Sequence, residues 1–178
     1  MEADSGQGGY GGWGIYLDEG SSNISVKNNL VYECGSQGFH QHYGENNHVT
    51  GNIFALNKEG QIQVSNRDIN RSVYFDGNIV VANNQTIFSS ASDAQHDDNN
   101  LYWDYTRQKL IKSGNAEMIK AHGVLWMRSH SYYNDALIAD PLFKNIENHD
   151  FTLAENSPAT SFGFQPWNYL NAGTLTKF

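Results

Sequence analysis

The sequence predicts an all-β fold, a parallel β-helix, and this prediction depends on three observations. A short phrase of Asn followed by two apolar residues recurs with spacings of 23, 26 and 22 residues, at Asn29, Asn52, Asn78 and Asn100. Recurrence at this interval is typical of a solenoid, in which one turn cannot bury its apolar side alone. The residues after each Asn suit short strands, and Asn itself tolerates the left-handed conformation of a corner. No 3.6-residue apolar period survives across the repeats, which excludes a helical solenoid.

The composition is that of one domain with a thin core. The chain has 178 residues, of which 39% are hydrophobic and 13% aromatic, and its formal net charge is −8. This charge disfavours nucleic acid and anionic membranes as partners. With only 11 Lys and Arg residues, an acidic polysaccharide is disfavoured as well, and a neutral glycan is the expected ligand. Cys34 is the single cysteine, so no intrachain disulfide forms, and we expect it to be a small buried side chain.

The N-terminal end leaves two questions open. Residues 1–5 lack the basic and apolar regions of a signal peptide, so localisation is not predicted, although a secreted or periplasmic protein is expected if the natural N-terminus is missing. Nothing before Gly14 resembles a cap for the first turn. The chain is therefore either a fragment of a longer coil or a homo-oligomer that pairs through this uncapped edge.

Two regions are predicted within the domain: β-helix turns over residues 1–105, and a short helix, final strands and a C-terminal cap over residues 106–178. Residues 115–123 have an N-cap residue, helix formers and a closing Gly, which predict the helix. Residues 139–143 and 150–153 are predicted to be strands that continue the coil. The segment from Ser157 to Trp167 is expected to wrap over the end of the coil.

Side-chain alternation predicts a polar and aromatic patch on one outer face of the coil. Aligning the turns by the glycine pairs Gly14/Gly20 and Gly38/Gly44 assigns an inward-facing set, which is Ile15, Leu17, Phe39, Gln41, Ile62, Val64, Ile87 and Ser89. The outward-facing set is then Tyr16, Asp18, His40, His42, Gln63 and Ser65. Because stacked turns lie about 4.8 Å apart, these six groups would be contiguous. A register slip of one residue would remove the patch.

Several phrases of the chain resemble a known group of proteins. They are residues 11–22 with Asp18-Glu19-Gly20, residues 38–44 with His40-Gln41-His42, and the closing phrases at 139–143 and 156–159. Together they resemble the C-terminal part of right-handed parallel β-helix proteins, many of them bacterial carbohydrate-active enzymes similar to glycoside hydrolase family 141. The resemblance extends over nearly the whole chain, although family members are usually several times longer. It implies a glycan-processing role in which Asp18 matches a catalytic carboxylate, but the long N-terminal coil of the family is absent.

Glycoside hydrolysis requires two carboxyl groups, which the outer face can supply. Asp18 is the first candidate, and Glu19 or Glu45 is the second. His42, stacked near Asp18, is expected to keep that carboxylate ionised or to hydrogen-bond a sugar hydroxyl. The expected substrate-binding residues offer aromatic faces or polar groups to a sugar, and they are Trp13, Tyr16, His40, Tyr43, Gln63 and Arg67. No cofactor is predicted.

Other interpretations of the same residues stay open. Asp18 and Glu19 can belong to a plain turn, and the two histidines with Asp18 have metal-ligand spacing but lack a fourth ligand, so no metal site is predicted. Calcium at Asp93, Asp97 and Asp98 is only weakly indicated, because their spacing matches no standard loop. The competing functions are a non-catalytic glycan-binding module on the same face and a polysaccharide lyase that uses His42 and Arg67.

Two further sets are expected to be structural. The four repeated asparagines are predicted to form an internal or corner ladder of stacked amides. The tryptophans of the closing region are expected to pack in the core, and they are Trp103, Trp126 and Trp167.

Overall fold

The computed structural model describes residues 11–65, 73–85, 87–90, 95–105, 133–134, 136–170 and 172. These residues form a parallel β-helix, which confirms the predicted fold class. The predicted helix at 115–123 lies outside the described residues, as do Arg67, Asp93 and Trp126. No helix in the described part of the chain is long and apolar enough to span a membrane.

Three parallel sheets form the walls of the coil, with strands numbered in chain order. Sheet A contains β1 (Ile15–Leu17), β4 (Gln37–Gln41), β7 (Gly60–Val64) and β10 (Phe88–Ser90). Sheet B contains β2 (Ser25–Lys27), β5 (Asn47–Thr50), β8 (Val73–Asp76), β11 (Gln95–Asp98) and β13 (Tyr133–Asn134). Sheet C contains β3 (Leu30–Tyr32), β6 (Ile53–Ala55), β9 (Ile79–Ala82), β12 (Leu101–Asp104) and β14 (Leu137–Ile138). Each circuit from β1 to β12 therefore passes through sheets A, B and C in turn.

The corner between sheets B and C is turned by the residue before each repeated Asn, and not by that Asn as the sequence had suggested. Asn28, Gly51, Gly77 and Asn99 have φ values of 56°, 65°, 63° and 53°, in the left-handed region. Glycine and asparagine are the residues that adopt this conformation at little cost. The repeated Asn is thereby left free to turn its side chain inward.

The predicted asparagine ladder is confirmed. Asn29 Nδ2 donates to Asn52 Oδ1 at 2.9 Å, Asn52 Nδ2 to Asn78 Oδ1 at 3.0 Å, and Asn78 Nδ2 to Asn100 Oδ1 at 3.0 Å. Each of these acceptor oxygens also takes a backbone N–H from the Asn of the preceding turn. The ladder satisfies buried polar groups at the corner where the sheet hydrogen bonds are interrupted.

The interior of the coil is apolar and aromatic. Phe39, Phe54 and Phe75 are fully buried, with ring centroids 5.9 to 6.5 Å apart, and Cys34 is fully buried as expected. The inward direction predicted for Ser89 is wrong, because this residue is exposed. The register shifts between Phe88 and Ser90 through a β-bulge, which changes the face that the following side chains occupy.

The strands predicted at 139–143 and 150–153 do not continue the coil, and of residues 139–143 only Phe143 lies in a strand. β15 (Phe143–Asn145) and β16 (Asp150–Leu153) pair antiparallel with each other, separated by a 3₁₀ helix (Ile146–Asn148), and are followed by α1 (Pro158–Ser161). This unit contributes Phe151, Ala159 and Phe164 to a buried cluster, and the cluster also contains outward-facing residues of sheet C, namely Ile53, Ala55, Ile79, Val81, Leu101 and Trp103. The segment therefore lies along the side of the coil, over sheet C, and not over its end.

Trp103 and Trp167 both belong to this lateral interface. Trp103 is 5% exposed and Trp167 packs at the edge of the cluster, as expected for structural residues. The Trp167 indole also donates a hydrogen bond to the backbone oxygen of Gly51 at 2.9 Å. This bond fixes the C-terminal segment to the corner between sheets B and C.

Candidate functional site

The strand register places the predicted residues on one outer wall. Tyr16 pairs with His40 and His40 pairs with Gln63 across β1, β4 and β7, which is the register that the glycine alignment predicted. Leu17, Gln41 and Val64 occupy the alternate positions, and all three are buried, so their neighbours face outward.

An aromatic cluster covers one part of this wall. The Trp13 ring stacks on Tyr16 with centroids 4.4 Å apart and an interplanar angle of 25°. The His40 ring contacts both, with centroid distances of 4.8 Å to Trp13 and 4.9 Å to Tyr16. His40 is only 5% exposed, so the two larger rings cover it. The Trp13 indole is held in place by donating to Gln37 Oε1 at 2.9 Å.

Two carboxylates lie beside the aromatic cluster and share one imidazole. Tyr16 donates its hydroxyl to Asp18 Oδ1 at 2.9 Å. His42 Nδ1 lies 3.8 Å from Asp18 Oδ1 and 3.7 Å from Glu19 Oε1. Tyr43 donates to Glu19 Oε2 at 3.4 Å. The bend after β1 thus brings Glu19 to the side of the coil that Asp18 occupies, although a strict strand would have separated them.

We call this set of residues the sheet A patch. Its members are in contact through the rings and hydrogen bonds just described, and they are Trp13, Tyr16, Asp18, Glu19, His40, His42 and Tyr43.

Two predicted residues, Glu45 and Gln63, stand outside the patch. Glu45 lies past the next bend, where its backbone N–H donates to Ser22 Oγ at 3.0 Å. Within the described residues no hydrogen bond or ion pair joins the Glu45 carboxylate to Asp18. Gln63 lies on the same wall, one turn beyond His40, where it donates to Ser65 Oγ at 3.1 Å. Arg67 cannot be placed, because it is outside the described part of the chain.

Local hydrogen bonds and burial shift three pKa values in the patch. The backbone N–H of Glu19, followed by the Tyr16 hydroxyl, lowers the pKa of Asp18 below its ordinary value of 3.8. Loss of hydration, followed by the neighbouring Glu19 carboxylate, raises the pKa of Tyr43 above 10.0. Burial, followed by the charge of His42, lowers the pKa of His40 below 6.5. At neutral pH the patch therefore presents an ionised Asp18, a neutral His40 and a protonated Tyr43.

The hydrogen bonds of His40 identify it as a support for the rings above it. Its Nε2 is hydrogen-bonded to Ser65 Oγ at 2.8 Å, and its buried Nδ1 has no hydrogen-bond partner in the described structure. The Trp13 and Tyr16 rings lie against the same imidazole, with centroids 4.8 and 4.9 Å away.

The described residues contain no group of three or more His, Cys, Asp or Glu side chains arranged to hold a metal ion. The side chain of Asp97 is outside this description, as is the whole of Asp93.

Sequence reasoning missed Gln37, which is 6% exposed and anchors the indole of the patch. Its amide also donates to Ser89 Oγ at 3.2 Å, so it links three turns of sheet A. It lies two residues before the inward-facing Phe39, on the same face of β4. The separation of 24 residues from Trp13, which is one full turn, was the signal that could have identified the contact.

Comparison of the chain with protein-family models, curated proteins and solved structures gives no match. The parallel β-helix is thus established by its own strand pairing, and the resemblance to glycoside hydrolase family 141 stays a prediction from the sequence.

Proposed function

We propose that the protein binds a neutral glycan on the outer face of sheet A. The observation that carries the proposal is the pair formed by Trp13 and Tyr16, whose stacked rings adjoin the ionised carboxylate of Asp18. A sugar ring has an apolar C–H face and a rim of hydroxyl groups. Aromatic surface contacts the first, and a carboxylate accepts hydrogen bonds from the second.

The charge of the patch supports a neutral ligand. The side chains of Asp18 and Glu19 are 68% and 62% exposed, so both anions face solvent. A uronic acid or a phosphate at this position would meet two carboxylates and one imidazole. Because like charges repel, a glycan without acidic groups is the better match. The same argument disfavours lyase chemistry, which needs cations around the substrate carboxylate.

The experiment compares two aromatic truncations by isothermal titration calorimetry with xylan, β-glucan and mannan. Trp13→Ala removes a ring from the patch, and we expect binding to weaken by about 1 kcal/mol, or about fivefold. Tyr74→Ala is the matched control, because this ring stacks at 4.6 Å on His48 on the outer face of sheet B, away from the patch. Equal weakening by both variants would locate the binding elsewhere.

A glycoside hydrolase is the second candidate, and the shared imidazole favours it. Asp18 Oδ1 and Glu19 Oε1 both lie within 4 Å of His42 Nδ1, so two carboxyl groups reach one small region, as hydrolysis requires. The lowered pKa of Asp18 suits the ionised nucleophile or base and not the acid, which leaves Glu19 for proton donation. Glu19 is largely exposed, however, whereas general acids are commonly desolvated to keep their proton.

Product analysis separates the two candidates. If the protein is a hydrolase, the unmodified chain releases reducing ends from the glycan that it binds, and Asp18→Asn abolishes this release while calorimetric binding persists. If the protein only binds, no reducing ends appear, and Asp18→Asn changes affinity modestly through the loss of one charged acceptor.

A further inference from the structure

A groove separate from the sheet A patch runs along the corner between sheets B and C. One wall consists of residues that end the strands of sheet B or turn the corner, namely Lys27, Asn28, Thr50, Gly51, Asp76, Gly77 and Asn99. The other wall is the segment after α1, with Phe162, Gly163, Gln165, Pro166 and Trp167. The cavity between the walls has a volume of about 690 Å³.

The groove is long because it follows the axis of the coil. Its floor takes one left-handed corner residue from each of four successive turns, Asn28, Gly51, Gly77 and Asn99. Three steps of about 4.8 Å give the floor a length of roughly 14 Å. This shape fits an extended chain better than a compact small molecule.

The floor is bare at one point. A Cβ at Gly77 would have no atom within 4 Å, and the same holds for Gly163 on the facing wall. At Gly51, by contrast, Asn28 Oδ1 lies 2.7 Å from the position that a Cβ would take, so an amide already covers the backbone. The indole of Trp167 is fixed beside this floor by its hydrogen bond to Gly51. The open stretch is therefore centred on Gly77.

We propose that this groove is a second binding site, which takes a neutral oligosaccharide chain. The amides of Asn28 and Asn99 and the hydroxyl of Thr50 supply both donors and acceptors for sugar hydroxyls. Lys27 and Asp76 contribute one charge of each sign, so the lining carries no net charge. Phe162, Pro166 and Trp167 add apolar surface for the faces of sugar rings, which completes the combination that a glycan requires.

An extended peptide fits the groove less well. Its side chains return to the same face about every 6.6 Å, which is twice the rise of a strand residue, whereas the turns of the coil repeat about every 4.8 Å. Successive side chains of a bound peptide would therefore not stay in register with the repeated corner residues.

The test uses Gly77→Asn in the full chain. Asn occupies the equivalent corner position at 28 and 99 with φ values of 56° and 53°, so the substitution keeps the backbone conformation while placing an amide on the bare floor. Asn46→Gly is the matched control, because it exchanges the same two residue types at φ 56° on the corner between sheets A and B. Thr50→Arg, which fills the groove from a strand end, is the second blocking variant if Gly77→Asn lowers the melting temperature.

Binding of cellohexaose, xylohexaose and mannohexaose is measured by calorimetry in the Trp13→Ala background, in which binding to the sheet A patch is expected to be about fivefold weaker. We expect one of these probes to bind, and its affinity to fall at least tenfold with Gly77→Asn but less than twofold with Asn46→Gly. Absence of binding in the Trp13→Ala background, or equal affinity with and without Gly77→Asn, overturns the proposal. If Trp13→Ala changes nothing in the otherwise unmodified chain and Gly77→Asn abolishes all binding, the groove is supported and the sheet A proposal is refuted.

Discussion

Replacement of one ladder asparagine by leucine is expected to destabilise the coil strongly. Asn52 is fully buried, and its Nδ2 donates to Val26 O at 3.0 Å, Asn78 Oδ1 at 3.0 Å and Thr50 O at 3.1 Å. Its Oδ1 accepts the backbone and side-chain N–H groups of Asn29, both at 2.9 Å. Asn52→Leu keeps a similar volume and removes every one of these bonds.

The magnitude follows from the groups left without partners. A buried donor or acceptor that loses its hydrogen bond costs about 1–3 kcal/mol. With two or three such groups stranded near Asn52, the free energy of unfolding should fall by roughly 3–6 kcal/mol, a large share of the ~5–15 kcal/mol of a typical domain. Asn29→Leu is the internal control, because Asn29 ends the ladder, is partly exposed, and leaves groups that water can reach. Its expected cost is about 1 kcal/mol.

Urea unfolding followed by far-UV circular dichroism and tryptophan fluorescence gives both free energies. The two variants should show the same dependence on urea concentration, so that the difference lies in the transition midpoint. If Asn52→Leu and Asn29→Leu destabilise the protein equally, within about 0.5 kcal/mol, burial of the ladder does not determine its contribution and the reasoning fails.

Three further predictions concern single groups. In a ¹³C NMR titration Asp18 should titrate below 3.8, and Tyr16→Phe should raise this pKa because a hydrogen bond to the carboxylate is lost; an unchanged value contradicts the assignment. The pKa of His40 is lowered in the folded protein, so its contribution to stability is complete above its ordinary pKa of about 6.5 and is lost as the pH falls from there through the lowered folded pKa. Thermal melts should show this loss, and His40→Gln should reduce it. Trp167→Phe keeps an aromatic ring but removes the donor to Gly51, and should lower the free energy of unfolding by about 1 kcal/mol in the same urea assay.

The periodic part of the fold could be predicted from the sequence. In a stacked coil each turn repeats the contacts of the previous one. The location of a phrase such as Asn52-Ile53-Phe54 in the coil therefore follows from its place in the sequence repeat. The ladder and the interior direction of Phe39 and Ile62 followed from this periodicity and are confirmed. The prediction failed at Ser89, where a bulge breaks the repeat and the alignment contains no glycine to reveal it.

The sheet A patch was predictable for the same reason, but its details depend on the bends beyond the strands. Tyr16 and His40 lie on β1 and β4, so their contact followed from register alone. Glu19 and Glu45 both follow a strand of sheet A, and strand alternation alone does not choose between them. The bend after β1 turns the Glu19 carboxylate towards His42, while Glu45 lies beside Ser22 on the far side of the bend.

The C-terminal segment could not be placed by periodicity, because its contacts are lateral and not repeated. It covers sheet C, whose strands consequently have apolar residues on both faces, as Ile79, Val80 and Val81 show. Such continuous apolar strands are expected where a sheet is covered on both sides. In sequence, however, they indicate only that a cover exists, and not which segment provides it.

This cover also determines where a ligand can bind. With sheet C enclosed, a ligand must bind elsewhere on the described coil, and the outer face of sheet A and the corner beside Trp167 both carry exposed residues. Sheet A carries the stacked Trp13 and Tyr16, and the corner groove owes one of its two walls to the covering segment itself. Detaching that segment would therefore remove the corner site while leaving the sheet A patch intact. The hydrogen bond from Trp167 to Gly51 O attaches the covering segment to the corner of the coil, so the groove keeps its shape only while this segment stays in place.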